Sequence, residues 1–151
     1  MYAILLTAHS FFRWLVLLSL LPAIYKSWQG YRCKLPFTKQ DNALRHWSAT
    51  IAHTQLILGV ILYSQSPIIK YYFLGLGDTS GEPLFFGLIH IILMLTAIVV
   101  ITIGSAKAKR KSVDAEKFHT MLLWYSAALC MIFIAIPWPF SPLSHRPYIR
   151  L

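Results

Sequence analysis

Four apolar stretches, each about as long as a bilayer-crossing helix, dominate this sequence. They run over residues 2–25, 47–66, 83–105 and 119–139. At about 1.5 Å of rise per helical residue, each can cross a hydrocarbon core of about 30 Å. The chain of 151 residues is 57% hydrophobic and 13% charged, which is more apolar material than a soluble domain of this size buries. We therefore predict an all-α integral membrane protein, with one four-helix transmembrane domain over residues 1–151.

The basic residues are concentrated in two of the links between these stretches. One cluster consists of Lys26, Arg32, Lys34, Lys39 and Arg45, and the other of Lys107, Lys109, Arg110, Lys111 and Lys117. The first and third links lie on the same side of the membrane, and the positive-inside rule makes that side cytoplasmic. We expect both termini outside, in a multi-pass protein of a bacterial inner membrane. The net charge of +9 is then explained by the orientation of the protein in the membrane, and no nucleic-acid partner is predicted.

The links are short, and this predicts an antiparallel up-down bundle. In such a bundle the first helix lies diagonally opposite the third, and the second lies opposite the fourth. The segment 67–75 is too short and too charged to span the membrane. We expect it to lie along the outer interface.

Each predicted span carries one histidine, and polar groups inside a membrane are functional candidates by default. His9 and His90 each lie about 10–12 Å from the outer start of their helices, so they are level and diagonal. His53 and His119 lie in the inner half, also on diagonal helices. The sequence thus predicts two diagonal histidine pairs, one in each leaflet.

Diagonal histidine pairs suit haem, because its iron accepts axial imidazoles from opposite faces of a flat ring. Small or flexible residues on the faces of His90 and His119 would leave room for the ring: Gly87, Met94, Ala97, Gly104, Ser126 and Cys130. The same residues would equally serve plain helix packing. His119, at the membrane edge, has an ordinary alternative as an interfacial histidine, and His46 could replace His53 or His119 as a ligand.

Arg13 shares a helix face with His9, four residues earlier. It stays protonated and requires an anion, yet all five acidic residues lie in the links. Haem propionates, a quinone oxygen or a phospholipid headgroup could serve. Alternatively, Arg13 reaches up to Asp78 or Glu82 in the outer link.

Several motifs resemble short bacterial membrane proteins known as cytochrome b. They are HSFFRW at 9–14, HTQLILG at 53–59, the helix from His90 to ITIG at 101–104, and IPWP at 136–139. One histidine on each of four spans is also similar to the transmembrane di-haem cytochromes of the b561 type. The resemblance implies one or two b-type haems bound by His9, His53, His90 and His119. Respiratory cytochrome b differs, because each of its ligand helices carries two histidines.

These features predict an electron-transfer protein more than a stand-alone enzyme. A quinone or quinol is the natural membrane-soluble partner, and other membrane redox subunits are further candidates. Two alternatives remain: an accessory or assembly subunit without a cofactor, and a pathway for transition metals or protons.

Overall fold

The structure is a computed structural model that describes residues 1–75 and 80–140, and it is all-α. We number five helices in chain order: α1 Tyr2–Arg32, α2 Lys39–Gln65, α3 Pro67–Leu74, α4 Glu82–Arg110 and α5 Asp114–Ala135. Within α4, residues Phe85–Ile89 form a π-helical turn directly before His90.

Three helices of the described chain are long and apolar enough to cross a membrane, namely α1, α4 and α5. This confirms the prediction of an all-α, multi-pass membrane protein in its coarser form. The helix α2 is long enough but is not among the three, because polar residues such as His53 and Gln55 interrupt its apolar run.

The basic ends of the helices extend beyond the predicted spans. The helix α1 continues past Tyr25 to Arg32, and α2 already begins at Lys39. At this start, Thr38 Oγ1 accepts a hydrogen bond from the Asp41 backbone N–H, and the Asp41 carboxylate accepts one from the Thr38 backbone N–H. This capping box satisfies N–H groups that a helix start leaves open. The first link is therefore much shorter than predicted.

The outer end of α5 lies before the predicted limit at residue 139. The helix ends at Ala135, and Ile136 adopts an extended conformation with ψ of 130°. Pro137 explains this ending, because the residue before a proline is pushed out of the helical region.

The four long helices pack antiparallel. The helix α1 contacts α2 and α5, and α4 contacts the same two neighbours. The inner half of the core is filled by side chains with little or no exposure: Leu20, Ala23, Ile101, Tyr125 and Ala128. Tyr125 Oη also donates a hydrogen bond to the Arg45 backbone oxygen at 2.8 Å. The short helix α3 packs at the outer end, where Ile69 is buried.

Gly104 and Gly87 were candidates for making room for a cofactor, and both serve close packing instead. A Cβ on Gly104 would overlap Trp124 Cβ of α5, and one on Gly87 would lie 2.6 Å from the Tyr72 ring. Helix packing, the ordinary alternative for such small residues, accounts for both.

Replacing Gly104 by alanine should destabilise the bundle. The added Cβ meets Trp124 Cβ, an atom tied to its own backbone, so α4 and α5 must move apart. Overpacking of this kind costs about 1–3 kcal/mol, which thermal unfolding in detergent would measure. Val99→Leu, on the exposed side of α4, is the matched control. Equal stability of Gly104→Ala and the control would contradict the packing described here.

Candidate functional site

The structure brings His9 of α1 and His90 of α4 together across the diagonal of the bundle. Their ring centroids are 6.4 Å apart, with an interplanar angle of 69°. The two histidines therefore face one another in the outer half of the bundle.

His90 is oriented by the end of α5. Its Nδ1 lies 2.8 Å from the Ala135 backbone oxygen, and because a carbonyl only accepts, Nδ1 carries the proton. In a continuing helix that carbonyl would accept from the N–H of residue 139, but residue 139 is a proline and has no N–H. The bond leaves Nε2 of His90 as the nitrogen with a free lone pair.

A second proline has the same effect two residues earlier. Pro137 cannot donate to the Phe133 carbonyl, and the Trp138 indole Nε1 donates to it instead at 2.8 Å. The side chains of His90 and Trp138 thus satisfy carbonyls that the end of α5 leaves open. Trp138 also packs against Trp14, with ring centroids 6.2 Å apart.

The π-helical turn before His90 is supported by two tyrosines. Tyr63 Oη of α2 donates to the Gly87 backbone oxygen at 2.7 Å, and the Tyr72 ring of α3 lies against Gly87. A π turn disturbs the regular helical hydrogen bonds, so the extra donor stabilises it where α4 presents His90.

His9 is held by α2. Gln55 Nε2 donates to the His9 backbone oxygen at 2.9 Å and lies 3.4 Å from His9 Nε2. His9 Nδ1 and Gln55 Oε1 are buried without a hydrogen-bond partner. Gly59 leaves space for the ring, since a Cβ there would lie 3.1 Å from His9 Cε1. Buried polar atoms without partners are rare in proteins, and here they mark a place where a ligand could form hydrogen bonds.

A cavity of about 170 Å³ adjoins the histidine pair. At the rise of a helix it extends about 16–18 Å along the bundle, from Tyr2 to Arg13 on α1 and from Phe86 to Ile98 on α4. Its polar lining consists of Tyr2, His9, Ser10, Arg13, Gln55, Tyr63, Ser66 and His90. Arg13 thus lies at the inner end of the same cavity as the pair. Asp78, one of its predicted partners, is outside the described residues.

The inner histidines do not face each other. Thr102 Oγ1 donates its proton to the Ile98 carbonyl, so it accepts from His53 Nε2, 2.9 Å away. The His119 ring is exposed and packs on Tyr31 of α1, with centroids 4.8 Å apart. Each inner histidine thus contacts an adjacent helix, and neither lines the cavity. His46 is exposed beside Trp47.

Sequence reasoning missed several residues of this site, and some of them left a signal. Gln55 and Gly59 both lie in the HTQLILG motif, and a glutamine inside an apolar span indicates a polar contact. The two prolines of IPWP identify carbonyls without helical donors. Nothing in the sequence pointed to the π turn at Gly87.

No protein-family model, curated protein or solved structure matches this chain.

Replacing Pro137 and Pro139 together by alanine should release His90 from its fixed tautomer. Residue 139 then gains an N–H that can bond the Ala135 carbonyl as α5 continues, in competition with His90 Nδ1–H. The Nδ1–H signal of His90 in ¹⁵N-histidine NMR should weaken or disappear. Pro22→Ala removes a proline from the exposed surface of α1 and should leave the signal intact. An unchanged signal in the double variant would show that the prolines do not create this bond.

Proposed function

We propose that the outer histidine pair binds one b-type haem and that the protein transfers electrons within a membrane. The observation that carries the proposal is the Nδ1–H bond from His90 to the Ala135 carbonyl. Histidines that bind metals almost always donate their second nitrogen in this way, which fixes the ring and frees Nε2 for the metal.

The separation of the two rings supports shared ligation. A bond from a metal to an imidazole nitrogen is about 2 Å long, and the ring centroid lies about 1 Å behind that nitrogen. Two imidazoles on opposite sides of one iron therefore have centroids about 6 Å apart. The observed 6.4 Å agrees with this value.

The cavity is long enough for a macrocycle, but its volume is smaller than a macrocycle needs. A void of about 150 Å³ accepts one benzene-sized ring, so 170 Å³ requires side chains to move before a haem enters. Room is available between α2 and α4, which pack less closely than the other neighbouring pairs of long helices. Met94 lines this side, and methionine adapts readily to a changed cavity.

Arg13 gives the cavity a positive charge at its inner end. A guanidinium binds carboxylates in a bidentate manner and stays charged when partly buried. We assign Arg13 the role of holding a haem propionate. When bound, the haem would supply one-electron chemistry.

All four long helices cross the membrane in this proposal, including α2. Several polar side chains of α2 bond to neighbouring helices: Ser48 to α1, Gln55 to α1 and Tyr63 to α4. Its exposed side carries Ile57, Val60 and Ile61, which suits contact with lipid. Inward polar residues lower the mean hydropathy of α2 without exposing polar groups to lipid. Both termini then lie outside, and the basic ends are cytoplasmic.

The haem proposal predicts a Soret band from the purified protein that depends on the outer pair. His9→Ala and His90→Ala should each remove most of the bound haem, because each variant lacks one of the two histidines that would hold it. Absorbance and pyridine-haemochrome titration of protein expressed with a haem precursor would measure this.

The inner histidines provide the controls. His53→Ala and His119→Ala should retain the haem of the wild type, since neither residue lines the cavity. Loss of half the haem in these two variants would instead establish a second, inner haem. A fully supplied wild type without a Soret band would refute haem binding altogether.

Gly59→Val should weaken haem binding without unfolding the bundle. A side chain at Gly59 comes against the His9 ring and displaces it from the position in which it faces His90. We expect a loss of affinity of about tenfold, comparable to other changes in the surroundings of a metal ligand. Ile57→Val, on the exposed face of the same helix, should bind haem normally. Equal affinities for the two variants would exclude a role for Gly59 in placing His9.

A quinone headgroup is the second candidate occupant, because the cavity already has the volume of one six-membered ring. Ser10, Gln55 and Arg13 line it as possible donors to the quinone oxygens. The proposal of electron transfer includes the oxidation of quinol, either by this protein directly or by a partner redox subunit. Protection of haem-free protein against thermal unfolding by a short-chain quinone would favour this occupant. A stable protein that binds neither would be an accessory subunit.

A further inference from the structure

We infer that the cytoplasmic end of the bundle has a binding groove for the headgroup of an anionic phospholipid. The groove lies between the α1–α2 link and the start of α5, and it is separate from the cavity beside His9. Its lining consists of Tyr31, Arg32, Lys34, Leu35, Pro36, Val113, Asp114 and Ala115.

The walls of the groove are fixed by aromatic packing. Phe37 of the link packs on Phe118 of α5, with ring centroids 4.9 Å apart. Gly30 permits this approach, since a Cβ there would lie 2.5 Å from the Phe118 ring. The link is thereby held against α5, and the groove between them has a defined shape.

The charges in the groove favour an anion. Asp114 is already engaged, because it accepts a hydrogen bond from Lys117 Nζ at 2.7 Å and forms a salt bridge with it. Among the described residues, neither Arg32 nor Lys34 has a carboxylate within salt-bridge distance. The groove therefore presents two cations beside a carboxylate that is already neutralised.

The depth of the groove matches lipid headgroups. With 31 residues, α1 is about 46 Å long, close to the thickness of a bilayer with its headgroups. Arg32, at its inner end, then lies at the level of the lipid phosphates. Leu35 and Val113 are exposed beside the two cations. The cytoplasmic leaflet is the one rich in anionic lipids, each basic residue near it contributing to attraction.

This inference rests on the membrane orientation proposed above and is independent of haem. It goes beyond general attraction of basic residues to a membrane, because it assigns the phosphate to Arg32 and Lys34. The exposed cations Lys109 and Arg110 lie at the same end of the bundle but outside the groove. They provide a control with the same change in net charge.

The test compares Arg32→Gln/Lys34→Asn with Lys109→Gln/Arg110→Gln. Asparagine suits position 34, where φ is +52°. Purified wild-type protein in neutral detergent is mixed with phosphatidylglycerol, with phosphatidylcholine or with inorganic phosphate. The readouts are the melting temperature and the lipid retained per chain after gel filtration.

Phosphatidylglycerol should be retained and should raise the melting temperature of the wild type by about 5 °C at saturation. The control variant should match it, and the groove variant should lose both effects. Equal responses of the two variants, or an equal response to phosphatidylcholine, would overturn the assignment. A shift of the same size with inorganic phosphate would indicate a site for free anions and would also overturn it. Lipid retention by the wild type does not depend on whether the variants fold. If the protein shows no Soret band but still retains the lipid, the haem proposal fails and this inference stands.

Discussion

The outer half of this molecule depends on one hydrogen bond, from His90 Nδ1 to the Ala135 backbone oxygen. Two covalent facts make it available: Pro139 lacks the N–H that would occupy this carbonyl, and Pro137 ends the helix at Ala135. In a membrane core, where water is absent, such a carbonyl must find a donor within the protein. The imidazole supplies it, and the requirement to satisfy a helix end thereby fixes a histidine tautomer beside a cavity.

The second histidine of the pair is placed by a different principle. His9 is not bonded to the end of a helix but lies against Gly59, with Gln55 bonded to the backbone oxygen of the same residue. The His90 ring is thus fixed by a hydrogen bond that it donates, and the His9 ring mainly by the shape of the α2 surface. We expect the His9 ring to reorient more readily than the His90 ring, since His9 Nδ1 has no hydrogen-bond partner to lose.

Much of this arrangement follows from the sequence, and what does not follow has a physical reason. Helical rise alone places His9 and His90 at one depth, and short links place them on diagonal helices, so their proximity was predictable. Depth does not determine how far each helix is rotated about its axis. His53 therefore bonds the adjacent Thr102, and His119 packs on Tyr31, although helical depth alone suggested an inner pair. The π turn at Phe85–Ile89 changes the rotation of α4 locally, and no residue pattern identifies it in advance.

Because α5 ends early, the inner and outer halves of the bundle differ in how tightly they are packed. In the inner half, four helices surround Leu20, Ile101 and Tyr125, which are fully buried. In the outer half, beyond Ala135, only three long helices of the described chain continue. The segment 136–140 takes the place of the fourth, and α3 packs against this end of the bundle. Local opening requires less free energy where fewer buried contacts are broken. The inner half is thus the more rigid part of the bundle, while the outer half opens locally at a lower cost in free energy and without unfolding of the whole.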